Sequence, residues 1–160
     1  MLKEFLNLLN SRDSSLIDIT FSRLSLNKAK ASIEWIHCIY PNGKATLSQG
    51  VKPSYTIPDN LLEKDFDYLM IEVENIEEPI KKLQFFLSPE ENDYFLEITF
   101  SPDDLGNESN LLENLSIWFE KLEDFINPLE YYVRWENASW NYGDEGLGSG
   151  VLFKKDNLRV

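Results

Sequence analysis

The chain has few of the residues on which metal binding and nucleophilic catalysis usually depend. Its 160 residues include one histidine, His37, and one cysteine, Cys38. A structural zinc site needs more His and Cys ligands than this, and a disulfide within the chain needs a second cysteine. Neighbouring side chains on a strand point to opposite faces, so His37 and Cys38 would not form a nucleophile–base pair there. We therefore expect His37 in the core, and we predict no catalytic residue, no metal site and no cofactor.

The sequence also lacks long apolar runs. None approaches the roughly 20 residues that a membrane-spanning helix needs. The N-terminus has neither the basic region nor the cleavage site of a secretory signal. Leucines in Met1–Asn10 recur as on one face of a short helix, which we expect to dock on the domain. Without a signal or a disulfide, a cytoplasmic location and no membrane partner are expected.

Basic residues are scarce. The 15 Lys and Arg are outnumbered by 28 Asp and Glu, which gives a net charge of −13. Residues 1–58 carry seven basic and four acidic residues, whereas residues 59–160 carry eight and twenty-four. Such a surface repels nucleic acid and anionic lipid and attracts basic partners. We therefore expect a basic protein partner and no nucleic acid, with solubility alone as the other interpretation.

The residues that are present suffice for a folded domain. Apolar residues make up 42% of the chain and aromatic residues 13%, which is too apolar for a disordered segment. A length of 160 residues suits one domain with a substantial core. We therefore predict a single domain over 1–160.

Alternation of apolar and polar residues predicts most of the strands. The region 41–58 is rich in Pro and Gly and is expected to be a loop around one short strand. The alternating segments are 16–26, 67–74, 94–100 and 131–136, followed by a last short strand near 150–154.

The segment 29–40 fits two structures. Ala29, Ile33, Ile36 and Tyr40 would form one face of a helix, but the segment also alternates as a strand does. Its β-branched and aromatic residues, and the turn that follows, favour a strand in a hairpin.

Steps of three and four residues predict two helices. The clearer one spans about 109–126 and ends at Asn127-Pro128. A shorter one is expected near 76–87, where Asn75 and Glu78 have capping-box spacing. The order of elements predicts an α+β fold with a single mixed or mainly antiparallel sheet and two to three helices packed on it. The expected apolar stripe of the longer helix is Leu112, Leu115, Phe119, Leu122 and Ile126.

Two features resemble catalytic or ligand-binding patterns only superficially. The run Gly146-Leu-Gly-Ser-Gly150 precedes a predicted strand, whereas a phosphate-binding loop precedes a helix, so a hairpin connection is expected. Adjacent carboxylates, which catalytic or metal sites also use, are here expected on the solvated surface. The adjacent pairs are Glu77-Glu78, Glu90-Glu91, Asp103-Asp104 and Asp144-Glu145.

The segment 131–142 is the most aromatic part of the chain. Trp140 and Tyr142 lie in a polar stretch that runs into Asp144 and Glu145. Large aromatic anchors beside acids are typical of a surface that binds a basic protein. The alternative is that Trp140 closes the end of the sheet.

The run from Arg134 to Phe153, RWENASWNYGDEGLGSGVLF, resembles segments of small immunity proteins from bacterial polymorphic and contact-dependent toxin systems. The resemblance implies tight binding and inhibition of a co-encoded toxin, commonly a nuclease, inside the producing bacterium. It implies no catalysis by this chain.

The resulting prediction is a toxin inhibitor whose acids steer and pair with the partner while its aromatics anchor it. The first alternative is a carboxylate-based or metal-dependent hydrolase, which requires a pocket where acids converge. The second is a structural or scaffold subunit that forms a homo-oligomer. The predicted partner-binding residues are Glu72, Glu74, Asp103, Asp104, Trp140, Tyr142, Asp144 and Glu145.

Overall fold

A computed structural model of the chain describes residues 16–49, 52–54, 62, 65–106, 109–128, 130–135 and 151–156. These residues form one eight-stranded sheet, in which every pairing is antiparallel, and two α-helices. The predicted α+β fold with a single sheet is confirmed. The elements are β1 (Ile17–Leu24), α1 (Leu26–Ile39), β2 (Lys44–Gln49), β3 (Lys52–Ser54), β4 (Tyr68–Glu74), β5 (Lys82–Pro89), β6 (Tyr94–Phe100), α2 (Leu111–Ile126), β7 (Glu130–Trp135) and β8 (Val151–Asp156).

The core lies between the sheet and the two helices. The strand order is β3-β2-β4-β5-β6-β1-β7-β8, so β6 and β1 lie near the middle. Ile19, Phe85 and Ile98 are fully buried on the face that the helices cover. Burial of each such side chain stabilises the fold by roughly 1.5–3 kcal/mol. No helix in the described segments is long and apolar enough to cross a membrane.

The strand predicted at 29–40 is wrong, because this segment lies in helix α1. Ala29, Ser32, Trp35 and Ile36 are buried at helical spacing and form the stripe that packs on the sheet. The Trp35 ring packs edge to face on Trp118 of α2, with 5.2 Å between centroids. Its burial within this stripe outweighs the strand preference of the β-branched and aromatic residues.

The same helix overturns the expectation for the single histidine. His37 and Cys38 are both exposed, in the last turn of α1. On a strand, His37 would share a face with the buried Trp35, but on a helix it is turned away from the core.

The helix predicted at 76–87 is also wrong. The Asn75 side chain accepts a hydrogen bond from the Glu77 amide at 3.1 Å, which closes a tight turn instead of capping a helix. Residues 82–89 then form β5, in which Leu83, Phe85 and Leu87 are buried at two-residue spacing. Phe85 distinguishes the two structures. A helix that buries Leu83 and Leu87 would place Phe85 outside its buried face, whereas a strand buries all three residues.

Strand β1 is buried on both faces, whereas the alternation predicted a half-buried strand. Asp18 and Thr20 are only 4% exposed. Thr99 Oγ1 donates to Asp18 Oδ1 at 2.8 Å, and Arg134 Nη2 donates to Thr20 Oγ1 at 3.2 Å. Cross-strand hydrogen bonds therefore link the members of a buried polar layer where we expected solvent. The region 41–58 contains β2 and β3 and not one short strand.

The remaining elements follow the predictions closely. Strands β4, β6, β7 and β8 and helix α2 occur within a few residues of the expected limits. Leu112 is 38% exposed, and the stripe of α2 includes Trp118 instead. Asn127, with φ of 44°, ends this helix in the left-handed conformation. The predicted docking helix in residues 1–10 and the glycine run 146–150 lie outside the described residues.

Candidate functional site

The face of the sheet opposite the helices carries the alternate side chains of β2, β4, β5 and β6. Two cross-strand rows define it, and one lies two residues from the other along every strand. The first row is Lys44, Glu72, Gln84 and Thr99; the second is Thr46, Met70, Phe86 and Glu97.

A depression of about 420 Å³ opens at one end of these four strands. Glu72 and Glu74 of β4 contribute two carboxylates, and Asp104, in the single 3-10 turn that follows β6, contributes a third. Lys44 and Lys82 also line the depression. Three of the predicted partner-binding acids are therefore brought together from two parts of the chain.

Each carboxylate of the depression has one contact within the described part of the molecule. Glu72 Oε1 accepts a hydrogen bond from Gln84 Nε2 at 3.0 Å. Glu74 Oε1 lies 3.7 Å from Lys82 Nζ, and both side chains are more than half exposed, so this ion pair contributes little stability. Asp104 Oδ2 accepts from the Ser101 amide at 3.3 Å. In each case the second oxygen has no donor among the described residues and is available to a ligand.

An apolar strip continues from the depression along the same face. We define the aromatic strip as Tyr68, Met70 and Phe86, all of which are half-buried. The Tyr68 and Phe86 rings stack with 5.4 Å between centroids and an interplanar angle of 25°. Met70 lies directly opposite Phe86 on the neighbouring strand. The strip begins two residues from Glu72, which is roughly 7 Å along a strand.

Backbone hydrogen bonds hold the loops beside the depression together. The Lys81 amide donates to the Asp104 carbonyl at 2.8 Å, and the Gly106 amide donates to the Pro79 carbonyl at 3.0 Å. Asn75 Nδ2 donates to the Ile39 carbonyl at 2.9 Å, which ties the same loop to the end of α1. The charges at this end of the molecule are therefore placed on loops that hydrogen bonds link to each other and to α1.

We call residues 72–82 and 101–106 the acidic end. It carries six carboxylates and two ammonium groups. Burial is the main cause that raises the pKa of the Glu78 carboxyl above its ordinary value, while nearby Lys121 lowers it and Glu77 raises it further. Glu78 is thus a carboxylate whose charged form is partly disfavoured by its surroundings.

The predicted acids have different environments. Glu72, Glu74 and Asp104 line the depression, and Asp103 is exposed beside it. Trp140, Tyr142, Asp144 and Glu145 lie outside the described residues, so their part in the site stays a prediction.

Sequence reasoning missed the aromatic strip and the two lysines. Alternation over residues 82–89 was the signal that places Phe86 and Gln84 on the outer face, but the helix predicted at 76–87 concealed it. Met70 is half-buried between the buried Leu69 and Ile71, as the alternation over 67–74 predicts.

Negative charge is not confined to the acidic end. The opposite end of the strands also carries carboxylates, as does the outward side of α2. Charge alone therefore does not select a docking face. The outer face of β4 and β5 is distinguished because the depression and the aromatic strip lie side by side on it. The carboxylates at these two places are Asp65, Asp67, Glu90, Glu91, Asp93, Glu113, Glu120 and Asp124.

The described residues contain no group of three or more His, Cys, Asp or Glu arranged to hold a metal ion. No protein-family model and no curated protein matches the chain. The fold is similar to a chain of the 1.75 Å crystal structure of the toxic C-terminal tip of CdiA from Pseudomonas aeruginosa in complex with immune protein. The TM-score is 0.48 and the identity 11%, over 77% of this chain and 87% of that chain. This degree of likeness assigns no function.

Proposed function

We propose that the chain is an immunity-type protein that binds and neutralises a basic toxin domain, with the acidic end and its depression as the docking site. The observation that carries the proposal is the convergence of Glu72, Glu74 and Asp104 on one depression, on the face opposite the helices. The net charge of −13 and the resemblance of residues 134–153 to immunity proteins support it.

The charge distribution suits a partner that binds nucleic acid. A nuclease toxin presents basic side chains to phosphate groups. An acidic protein placed over that surface excludes the substrate, and attraction between opposite charges accelerates encounter. The chain would then act by occupancy, without catalysis, in the cytoplasm of the bacterium that makes the toxin.

The test uses the toxin domain encoded by the adjacent upstream gene and a charge reversal at Asp103. This residue is exposed, and its side chain makes no hydrogen bond to another described residue, so we expect Asp103→Lys to keep the fold. Because rim charges act mainly on encounter, association measured by stopped flow in low salt should slow by about three- to tenfold and depend less on salt. The matched control is Glu90→Lys, an exposed residue at the opposite end of β5.

Equal association rates for wild type, Asp103→Lys and Glu90→Lys would remove the acidic end from the interface. Absence of any complex with the toxin domain would overturn the proposed function itself.

A hydrolase is the second candidate, because three carboxylates line one depression, as that hypothesis requires. Stoichiometry separates the two functions. An inhibitor neutralises toxin activity at one molecule per toxin molecule, and the residual activity falls linearly to zero at that ratio. A hydrolase that destroys the toxin or its product acts at far lower ratios and progressively with time.

A further inference from the structure

We propose that the aromatic strip is the apolar centre of the partner interface and that the depression beside it receives one cationic side chain of the same partner. The inference rests on the proposed function for the partner's nature and adds where it docks and what it presents. Its occupant is a basic protein with an apolar patch next to an exposed Arg or Lys.

The strip has the composition of a binding centre. Aromatic residues and Met are enriched in protein interfaces, and a few such side chains contribute most of the binding energy. Tyr68 and Phe86 are stacked on each other and stand on paired strands, so little side-chain freedom remains to be lost on binding. A rigid sheet also places them more accurately than a loop would.

The depression supplies the charge selectivity. The second oxygens of Glu72 and Glu74 project from one strand at two-residue spacing, and a guanidinium group has five donors with which to reach them. Lys44 and Lys82 also line the depression and repel further cations. One cationic side chain therefore matches the charge balance better than a uniformly basic surface does.

The exposed apolar side chains of α2 do not offer the same arrangement. Ile117 and Phe125 are 43% and 48% exposed, on the helical side of the molecule. They stand among Glu113, Glu120 and Asp124 on the outer surface of the helix and do not line the depression. Both are more exposed than the half-buried residues of the strip, so they serve as controls for the loss of exposed apolar surface away from the depression.

The first test needs no partner. The ¹⁵N-labelled full chain is titrated with acetyl-Phe-Arg-amide, acetyl-Gly-Arg-amide and acetyl-Phe-Glu-amide, and amide shifts are followed by NMR. We expect the Phe-Arg peptide to shift the amides of Met70, Glu72, Gln84 and Phe86. The Gly-Arg peptide should act at Glu72 and Gln84 more weakly, and the Phe-Glu peptide should cause no shifts there. The variant Glu72→Gln should abolish the effect of both arginine peptides.

Shifts that spread equally over all surface acids, or that persist in Glu72→Gln, would overturn the depression as a cation site. This result is independent of the toxin, so it is distinguishable from failure of the proposed function.

The second test measures binding to the toxin domain. The double variant Met70→Thr/Phe86→Thr keeps strand-forming side chains but removes the apolar surface. We expect its Kd to rise by at least about 30-fold, as for interface hot spots. The controls Ile117→Ser and Phe125→Ser should change Kd by less than about threefold.

A complex of unchanged Kd with the double variant would overturn the strip while leaving the proposed function standing. Circular dichroism and urea unfolding establish that each variant is folded. If the double variant is unfolded, the single variant Tyr68→Thr replaces it, with the same decision between raised and unchanged Kd.

Discussion

Removal of the buried Tyr40 hydroxyl should destabilise the contact that links the end of α1 to Ile80, in the acidic end, and to Trp118. Tyr40 is fully buried where α1 ends. Its hydroxyl donates to the Ile80 carbonyl at 2.8 Å and accepts from Trp118 Nε1 at 3.3 Å. In Tyr40→Phe, a buried carbonyl and a buried indole N–H both lose their partner. Each such loss costs about 1–3 kcal/mol, and the long Trp118 bond contributes the smaller share, so we expect a total of about 2–4 kcal/mol.

The assay is urea unfolding, followed by the fluorescence of Trp35 and Trp118 in the adjoining cluster. With an m value near 2 kcal/mol/M, the midpoint should fall by about 1–2 M while m stays unchanged. The matched control is Tyr68→Phe, because the Tyr68 ring stacks on Phe86 and its hydroxyl has no hydrogen bond to any residue that the structure describes. It should cost less than about 0.5 kcal/mol. Equal losses of unfolding free energy in Tyr40→Phe and Tyr68→Phe would contradict the role assigned to the Tyr40 hydrogen bonds.

Two further substitutions test local packing and charge. In Gly43→Ala the new methyl would lie 2.8 Å from Val73 Cγ1 and 2.9 Å from Ile71 Cγ2. This overpacking should lower the free energy of unfolding by about 1–3 kcal/mol, which a thermal melt would detect. An unchanged melting temperature would contradict the contact. Glu78→Gln should stabilise the protein at pH 7, because a raised carboxyl pKa means that the folded state disfavours the charge. This gain should disappear below about pH 4, where the carboxyl is protonated in both states, and the exposed control Glu77→Gln should show a smaller effect at pH 7.

Most strands could be predicted because their burial follows a period of two. Strands β4 and β6 each bury one face only, so their alternation is visible in the sequence. The second buried face of β1 is not visible in the sequence, because it carries the polar residues Asp18 and Thr20. Thr99 and Arg134 form hydrogen bonds with these two residues. No local pattern indicates such cross-strand partners.

Both errors of element type have one cause. In 29–40 and in 76–87 the apolar residues satisfy helical and strand spacing together, and the choice depends on contacts distant in sequence. Trp35 meets Trp118, 83 positions later, across two helices, whereas Phe85 pairs with Ile71 and Ile98 within the sheet. The preference of β-branched and aromatic residues for strands favoured the wrong structure in 29–40, and helical spacing with a capping-box pattern favoured it in 76–87.

The candidate site was predictable only in part. The composition indicated that the binding site would be acidic. The two-residue spacing of Glu72 and Glu74 on an alternating strand indicated that both side chains lie on the same face of the sheet. The approach of Asp104 to them depends on the pairing of β5 with β6, which the helix prediction excluded. The aromatic strip was lost for the same reason, since Phe86 reaches Tyr68 and Met70 only when 82–89 is a strand.

Hydrogen–deuterium exchange of the full chain, alone and with the toxin domain of the neighbouring gene, tests the docking face most directly. On complex formation, slowed exchange should appear in peptides covering β4, β5 and residues 101–106, while the outward turns of α1 and α2 keep their rates. Protection confined to the two helices, with exchange in β4 and β5 unaltered, would contradict the assignment of the partner to the side of the sheet opposite α1 and α2.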